Sequence, residues 1–261
     1  MVAVAASRQT AHAQPEQRDR RNHGWDQDEQ QHPLNLGDTL DASMAEPVAV
    51  TAPALPELEE LELPDGGELE ELELVEVLVE RHGRDALAPA RVRVQESELR
   101  GLTLREGVAT ELVLRDARLR GCDLSNLRVR SADIRRVEIE ESRLVGFGID
   151  GGKIEDLRVR GGTMMLASLA HTGLRRVVFE NVNLREASFL GARLSSVCFE
   201  GCELSGADFR GARLERCTIR GSSLEAVVGV DSLRGLTMPW PDLVGSVEAL
   251  ATALGIAVES D

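Results

Sequence analysis

Apolar residues return at every fifth position along the middle of this chain. The series begins Val94, Leu99, Leu104, Ala109, Leu114 and ends Leu214, Ile219, Leu224. All 27 positions from 94 to 224 in steps of five are apolar, with no insertion. For a chain that is 42% hydrophobic, chance gives such a run once in ~10¹⁰ trials at a fixed register. A helix repeats near 3.6 residues and a strand at 2. Five helical residues rotate ~140° past a full turn, which would scatter these side chains around a cylinder. A backbone that turns a corner every five residues brings them all inside.

The neighbouring positions fit that backbone. The position two before each apolar residue is mostly small, as at Ala117, Cys122, Ala132, Ser142, Ala187 and Ala207. Strand alternation turns both to the same side, and only a small group fits beside the large one on a narrow axis. Gly often follows two residues after, as at Gly121, Gly151, Gly191 and Gly211, where a corner needs a permissive backbone. The unit reads small, polar, apolar, polar, Gly or polar; "ADFRG" (207–211) and "CDLSN" (122–126) are clear copies.

These units resemble the pentapeptide-repeat family, whose consensus is A(D/N)LXX, over residues 92–226. The resemblance implies an all-β solenoid, a right-handed quadrilateral β-helix in which four five-residue faces make one coil. Positions 20 apart then stack at roughly 4.8 Å, giving about 6–7 coils. Leu119, Ile139, Phe179 and Phe199 fall in one inward column, and Phe189 and Phe209 in the opposite one. The core is expected to be fullest in those C-terminal coils. A leucine-rich repeat needs a period of 20–29 with helices on its convex side; the uninterrupted five argues against it.

The flanks follow other rules. Residues 1–57 lack a periodic apolar pattern and read as a disordered arm. Met44 opens "MAEPVAV" and reads as a translation start, in which case 1–43 would not belong to the protein. Residues 58–91 form an acidic lead-in of alternating Leu or Val and Glu, which suggests two short strands or a coil covering the first edge, with a helix as the alternative. Residues 227–261 form a C-terminal cap with a helix over 241–254. Its stripe is Leu243, Val244, Val247, Leu250, Ala251 and Leu254, bounded by Pro241 and Gly255. A cap over the last coil is the expected role, because an open β edge invites aggregation; a homodimer helix is the sharper alternative.

Charge and chemistry narrow the function. The net charge of −15 belongs to the flanks: residues 1–90 carry −14, residues 91–230 carry +3 and the last 31 carry −4. Cys122, Cys202 and Cys217 occupy inward positions and read as reduced core residues, and Cys198 with Cys202 lacks the spacing of a metal motif. Without a transmembrane run or a disulfide framework, the cytoplasm is the expected compartment. "GFGIDG" (146–151) matches GxGxxG, but Leu144, Ile149 and Ile154 keep the five-beat through it and no helix follows. His171 reads as a surface corner. No catalytic, metal or cofactor site is expected, and a filled core leaves no cavity for a substrate.

A protein partner is therefore the expectation. Direct nucleic-acid binding is disfavoured, because the arginines are interspersed with acids and within the repeats the aromatics fall at core positions; no membrane contact is expected. The family resemblance carries an alternative, regulation of DNA gyrase by mimicry of DNA, of the quinolone-protecting kind. That needs dense carboxylates along a face, whereas the column Arg100, Arg120, Glu140, Arg160, Glu180, Glu200, Arg220 predicts an ion-pair ladder. Residues 161–173 contain no charge in a chain that is 29% charged. Within and beside that stretch Val145, Met165, Ala170 and Leu190 point outward and make the candidate interface.

Overall fold

The computed structural model describes residues 4–6, 47–63, 67–80, 86–104 and 106–257. Its body is a parallel β-solenoid. Leu72–Val75 and Val77–Glu80 form the first full rung. Arg91–Arg100, Glu111–Arg120, Ala132–Glu140, Gly152–Arg160, Gly173–Glu180 and Arg193–Glu200 follow, and Arg213–Glu215 with Cys217–Arg220 closes the series. Each pairs in parallel with the rung 20 residues on, so that Val79, Leu99, Leu119, Ile139, Val159, Phe179, Phe199 and Ile219 stand in one column. The other two faces pair through the short strands Gly107–Ala109, Leu127–Val129 and Gly148–Ile149, and through isolated bridges such as Asp123 to Arg143 and Ser188 to Asp208.

The rungs number about eight, more than the 6–7 expected, because the coil begins ahead of residue 92. Leu69, Leu72, Leu74, Val77 and Val79 are buried and continue the inward columns. The Leu–Glu alternation there is strand, not helix. Two further strands lie on the N-terminal edge: Glu59–Glu60 against Val77 and Leu78, and Val4–Ala6 against Leu72–Leu74. Met44 and most of the arm expected over 1–57 lie outside the described residues. Within the described part, Thr51 and Ala54 hydrogen-bond to the rod.

Most corners between the five-residue faces lie in the left-handed backbone region. One corner is made by Glu76, Glu96, Asp116, Arg136, Asp156, Arg176, Ser196 and Arg216, with φ between 48° and 56°. Glycine holds many of the others, and at Gly191 the requirement is double: φ is 63°, and an added Cβ would meet His171 Nδ1 at 2.5 Å. The Asp or Asn of the consensus has a local task. Asp123, Asn183 and Asp208 each accept the backbone N–H two residues on, at 2.9, 3.2 and 2.9 Å, which fixes the turn at the side-chain level.

Both inward positions of each face are filled. Phe179, Phe189, Phe199 and Phe209 are fully buried. Phe179 stacks on Phe199 at 5.2 Å and Phe189 on Phe209 at 5.0 Å, while Phe189 meets Phe199 edge-on. Two internal voids of about 10 and 30 Å³ are lined by apolar side chains and Cys122. The larger has at most the volume of one water and no polar partner for it. Phe199→Ala is expected to cost about 3–5 kcal/mol, read as a lower urea midpoint. An unchanged midpoint would contradict a core held by this stack.

Candidate functional site

The proposed patch is assembled by register rather than by a pocket. Val145 and Met165 sit on adjacent coils, where Gly146 N–H donates to Met165 O at 2.8 Å. Ala170 and Leu190 do the same on the next face, where His171 N–H donates to Leu190 O at 2.8 Å. All four are half-buried. The more exposed apolar group is one the sequence reasoning passed over: Leu166, between Met165 and Ala167, is 53% exposed. It turns the corner at φ 57°, where related corners use Asn126, Gly146 and Gly206. A bulky residue held in the left-handed region costs about 1–2 kcal/mol. The available signal was an apolar residue in a corner column otherwise held by Gly, Asn, Glu or Ala.

The C-terminal helix Trp240–Ala253 does not bury its stripe as a cap would. Leu250 packs against the core and Leu243 is half-buried, but Val244, Val247 and Leu254 are 53–57% exposed and Trp240 is 74% exposed. Trp240, Val244, Val247, Ala251 and Leu254 are spaced four, three, four and three, which lines them along one side of a helix. The side turned to the rod is small: Gly245, Ser246, Ala249 and Ala253 line an open cleft of about 920 Å³ against the last coil. Asp242 in the first turn accepts the Gly221 N–H at 2.6 Å and pins the helix there. The lining of the cleft holds the carboxyls of Glu225, Asp242 and Glu248 and no histidine, cysteine or basic side chain.

The candidate nucleophiles are embedded in the coil. All four cysteines are free and buried. The Cys122 and Cys202 thiols donate to the carbonyls of Leu99 and Phe179 at 3.5 and 3.3 Å, and burial pushes both up to about 11. Thiols in that state are not nucleophiles at neutral pH. Among the described residues no three His, Cys, Asp or Glu side chains gather as a metal site. His171 is an exposed corner at φ 58°. In "GFGIDG" Phe147 and Ile149 are buried in the coil. No helix among the described residues is long and apolar enough to cross a membrane.

The charged face is a ladder. Arg118 donates to Glu138 at 3.0 Å, Arg120 to Glu140 at 2.8 Å and Arg160 to Glu180 at 2.9 Å, each one coil on. The Arg100–Arg120 contact of like charges is relieved by Glu98, which pairs with Arg100, Arg118 and Arg120. Partly exposed pairs of this kind contribute about 0.2–1 kcal/mol each and favour one register. The adjoining corner is tighter. Arg136 grips both carboxyl oxygens of Asp116, and Arg176 both of Asp156.

Arg136, with help from the Ala54 N–H, holds the Asp116 carboxyl below the usual carboxylate range; Arg176 and the Thr51 N–H do the same for Asp156. A depressed folded value makes this stabilisation complete above the unfolded value of about 3.9. It is lost as pH falls through the folded values. The melting temperature of the Asp116→Asn/Asp156→Asn chain is therefore expected to fall less steeply than wild type below about pH 4. Parallel curves would contradict the assignment.

Residues 96–146, 164–201 and 191–225 match the family model for pentapeptide repeats, in 8 copies. Among solved structures, HetL, a pentapeptide repeat protein involved in heterocyst differentiation regulation from the cyanobacterium Nostoc sp. strain PCC 7120, is 18% identical. That match covers 80% of this chain and 98% of HetL, with a TM-score of 0.37. A trypsin-treated variant of QnrB1, a plasmid-mediated fluoroquinolone resistance protein, is 20% identical over 74% of this chain and 100% of its own, with a TM-score of 0.34. No curated protein matches the chain significantly. The five-residue beat, the corners between the faces and the matched residues agree: the solenoid of this chain is built from units that match the family model for pentapeptide repeats.

Proposed function

We propose that this protein is a non-enzymatic rod that displays surfaces to protein partners and pairs with a second copy of itself through its C-terminal helix. The observation that carries the proposal is the helix stripe. Trp240, Val244, Val247 and Leu254 stand in solvent on one side of a 14-residue helix whose opposite side is built of small residues. Leaving such a stripe wet is unfavourable by roughly 25 cal/mol per Å² of apolar surface, and contiguous exposed apolar surface marks interfaces. A spacing of alternating three and four is also self-complementary: two such helices bury the same side chains against each other. The corner of Val145, Met165, Leu166, Ala170 and Leu190 is a second surface for a different partner, on coils that lie away from the helix in sequence.

The ion-pair ladder favours this reading over mimicry of DNA. Mimicry of a duplex asks for rows of free carboxylates at phosphate-like density, while Glu98, Glu138, Glu140 and Glu180 are all engaged by arginine. The rod carries nearly balanced charge, so long-range steering toward a basic DNA-binding channel is weak. Inhibition of gyrase supercoiling at micromolar protein would reverse that preference.

Two measurements test the proposal. Sedimentation equilibrium of the full chain is expected to give a dimer, and Val244→Glu/Val247→Glu a monomer with the same far-ultraviolet spectrum; a wild-type monomer at tens of micromolar contradicts the pairing. Met165→Glu/Leu190→Glu is expected to keep the fold and the dimer but to abolish capture of partners from the native host. Capture of every wild-type partner by that variant removes the second surface.

A further inference from the structure

The corner that carries Asp116, Arg136, Asp156 and Arg176 is already occupied. The segment 47–57 crosses it before entering the first coil. Thr51 N–H donates to Asp156 Oδ1 and Ala54 N–H to Asp116 Oδ1, both at 3.2 Å. The two aspartates are two coils apart, roughly 9.6 Å at the stacking distance of a parallel sheet. Three residues of a polyproline II segment rise about 9.3 Å and complete one turn, so amides three apart face the same side and meet acceptors two coils apart.

The segment suits that conformation. Pro47, Pro53 and Pro56 restrict the free chain toward extended backbone. None of them falls on Thr51 or Ala54, whose N–H groups are used. The ten residues "PVAVTAPALP" (47–56) carry no charge, although the chain is 29% charged and "ELEELE" follows immediately. An uncharged segment matches a corner where Asp and Arg alternate and neutralise each other. Val48, Val50, Pro53 and Leu55 are half-buried. Asp116 and Asp156 are only 8% and 6% exposed, although corner positions on a rod face outward.

The arginines prepare the site. Each aspartate is clamped by the arginine one coil on, which fixes Oδ1 at the rim to receive a backbone amide. The acceptors therefore receive main-chain donors, joined at Asp156 by the Thr51 side chain, and the half-buried Val and Leu positions select apolar side chains. This corner is separate from the helix stripe and from the Met165 patch.

We propose that the Asp116–Arg136–Asp156–Arg176 corner is a docking groove for an extended, uncharged, proline-containing segment, closed in cis by residues 47–57. A partner bearing such a segment engages the groove by displacing this strap.

The test uses the full chain carrying Thr51→Pro and Ala54→Pro, which removes both donors while keeping an extended backbone. The probe is a fluorescein-labelled peptide of residues 47–58, followed by anisotropy. The peptide is expected to bind this chain at least tenfold more tightly than wild type. The same peptide with proline at both donor positions is expected not to bind, and adding Asp116→Ala/Asp156→Ala to the chain is expected to abolish binding. Equal binding to wild type and variant, no binding to the variant, or undiminished binding of the proline peptide each overturns the proposal. Amide exchange on the wild-type chain provides a check that needs no variant. Thr51 and Ala54 are expected to exchange at least tenfold more slowly than Ala49 and Ala52, and equal rates overturn the proposal.

Discussion

Everything in this molecule depends on one backbone constraint: a corner every five residues, mostly in the left-handed region, repeated so that the chain returns above itself after 20. The parallel hydrogen bonds between rungs can form only if every coil has the same length, and one inserted residue would turn inward side chains outward from that point on. The absence of any insertion between Val94 and Leu224 is the mark of that constraint. It also explains the tolerance of strained corners. Glu96, Asp116, Arg136, Asp156, Arg176 and Ser196 all adopt positive φ without being glycine, each at an energetic cost. The two rungs that each corner keeps in register offset it, as do the side-chain pairs at Asp116 and Asp156.

A further consequence is that chemistry on this surface is organised in columns. Residues 20 apart are vertical neighbours, so an Arg and a Glu one period apart meet even though nothing near them in sequence suggests it. Glu98 shows how local such balancing is. It lies between two rows of arginine and is shared by three of them, which keeps two like-charged arginines stacked without an unpaired charge. A face built this way is rigid and nearly neutral. It favours register and gives little electrostatic steering.

The regular part was legible because only one backbone satisfies a five-residue beat. The inward columns, the buried cysteines and the phenylalanine stack follow directly from residue number. The first coil was harder to see. Its Leu–Glu alternation at 72–74 and Val–Leu–Val at 77–79 are the two inward positions of a face, so a period of two and a period of five coincide over three residues, and Arg84 interrupts the longer beat. The C-terminal stripe was legible as a stripe, but its direction was not. Burial depends on how the rod meets the helix, and here an open cleft lined by Gly221, Ser222, Ser223, Leu224, Ala226 and Val227 stands between them. The strap could not be read at all: Thr51 and Ala54 find acceptors 105 and 62 residues away, and only the placement of three prolines hints at it.

These departures share a physical logic. A solenoid of identical coils exposes backbone only at its ends and corners, since every face is engaged in pairing with the rungs above and below. An end has to be covered, and a corner has room only for groups that reach outward. The C-terminal end is met by a helix that packs Leu250 against the core and keeps Trp240, Val244, Val247 and Leu254 free. The corner at Asp116 and Asp156 is met by a segment held through two amides. Each interaction is weak compared with the stacked core, with its fully buried phenylalanines and parallel rungs. Weak contacts on a rigid frame open without unfolding the frame, so the strap and the helix can move while the register of the coils stays fixed.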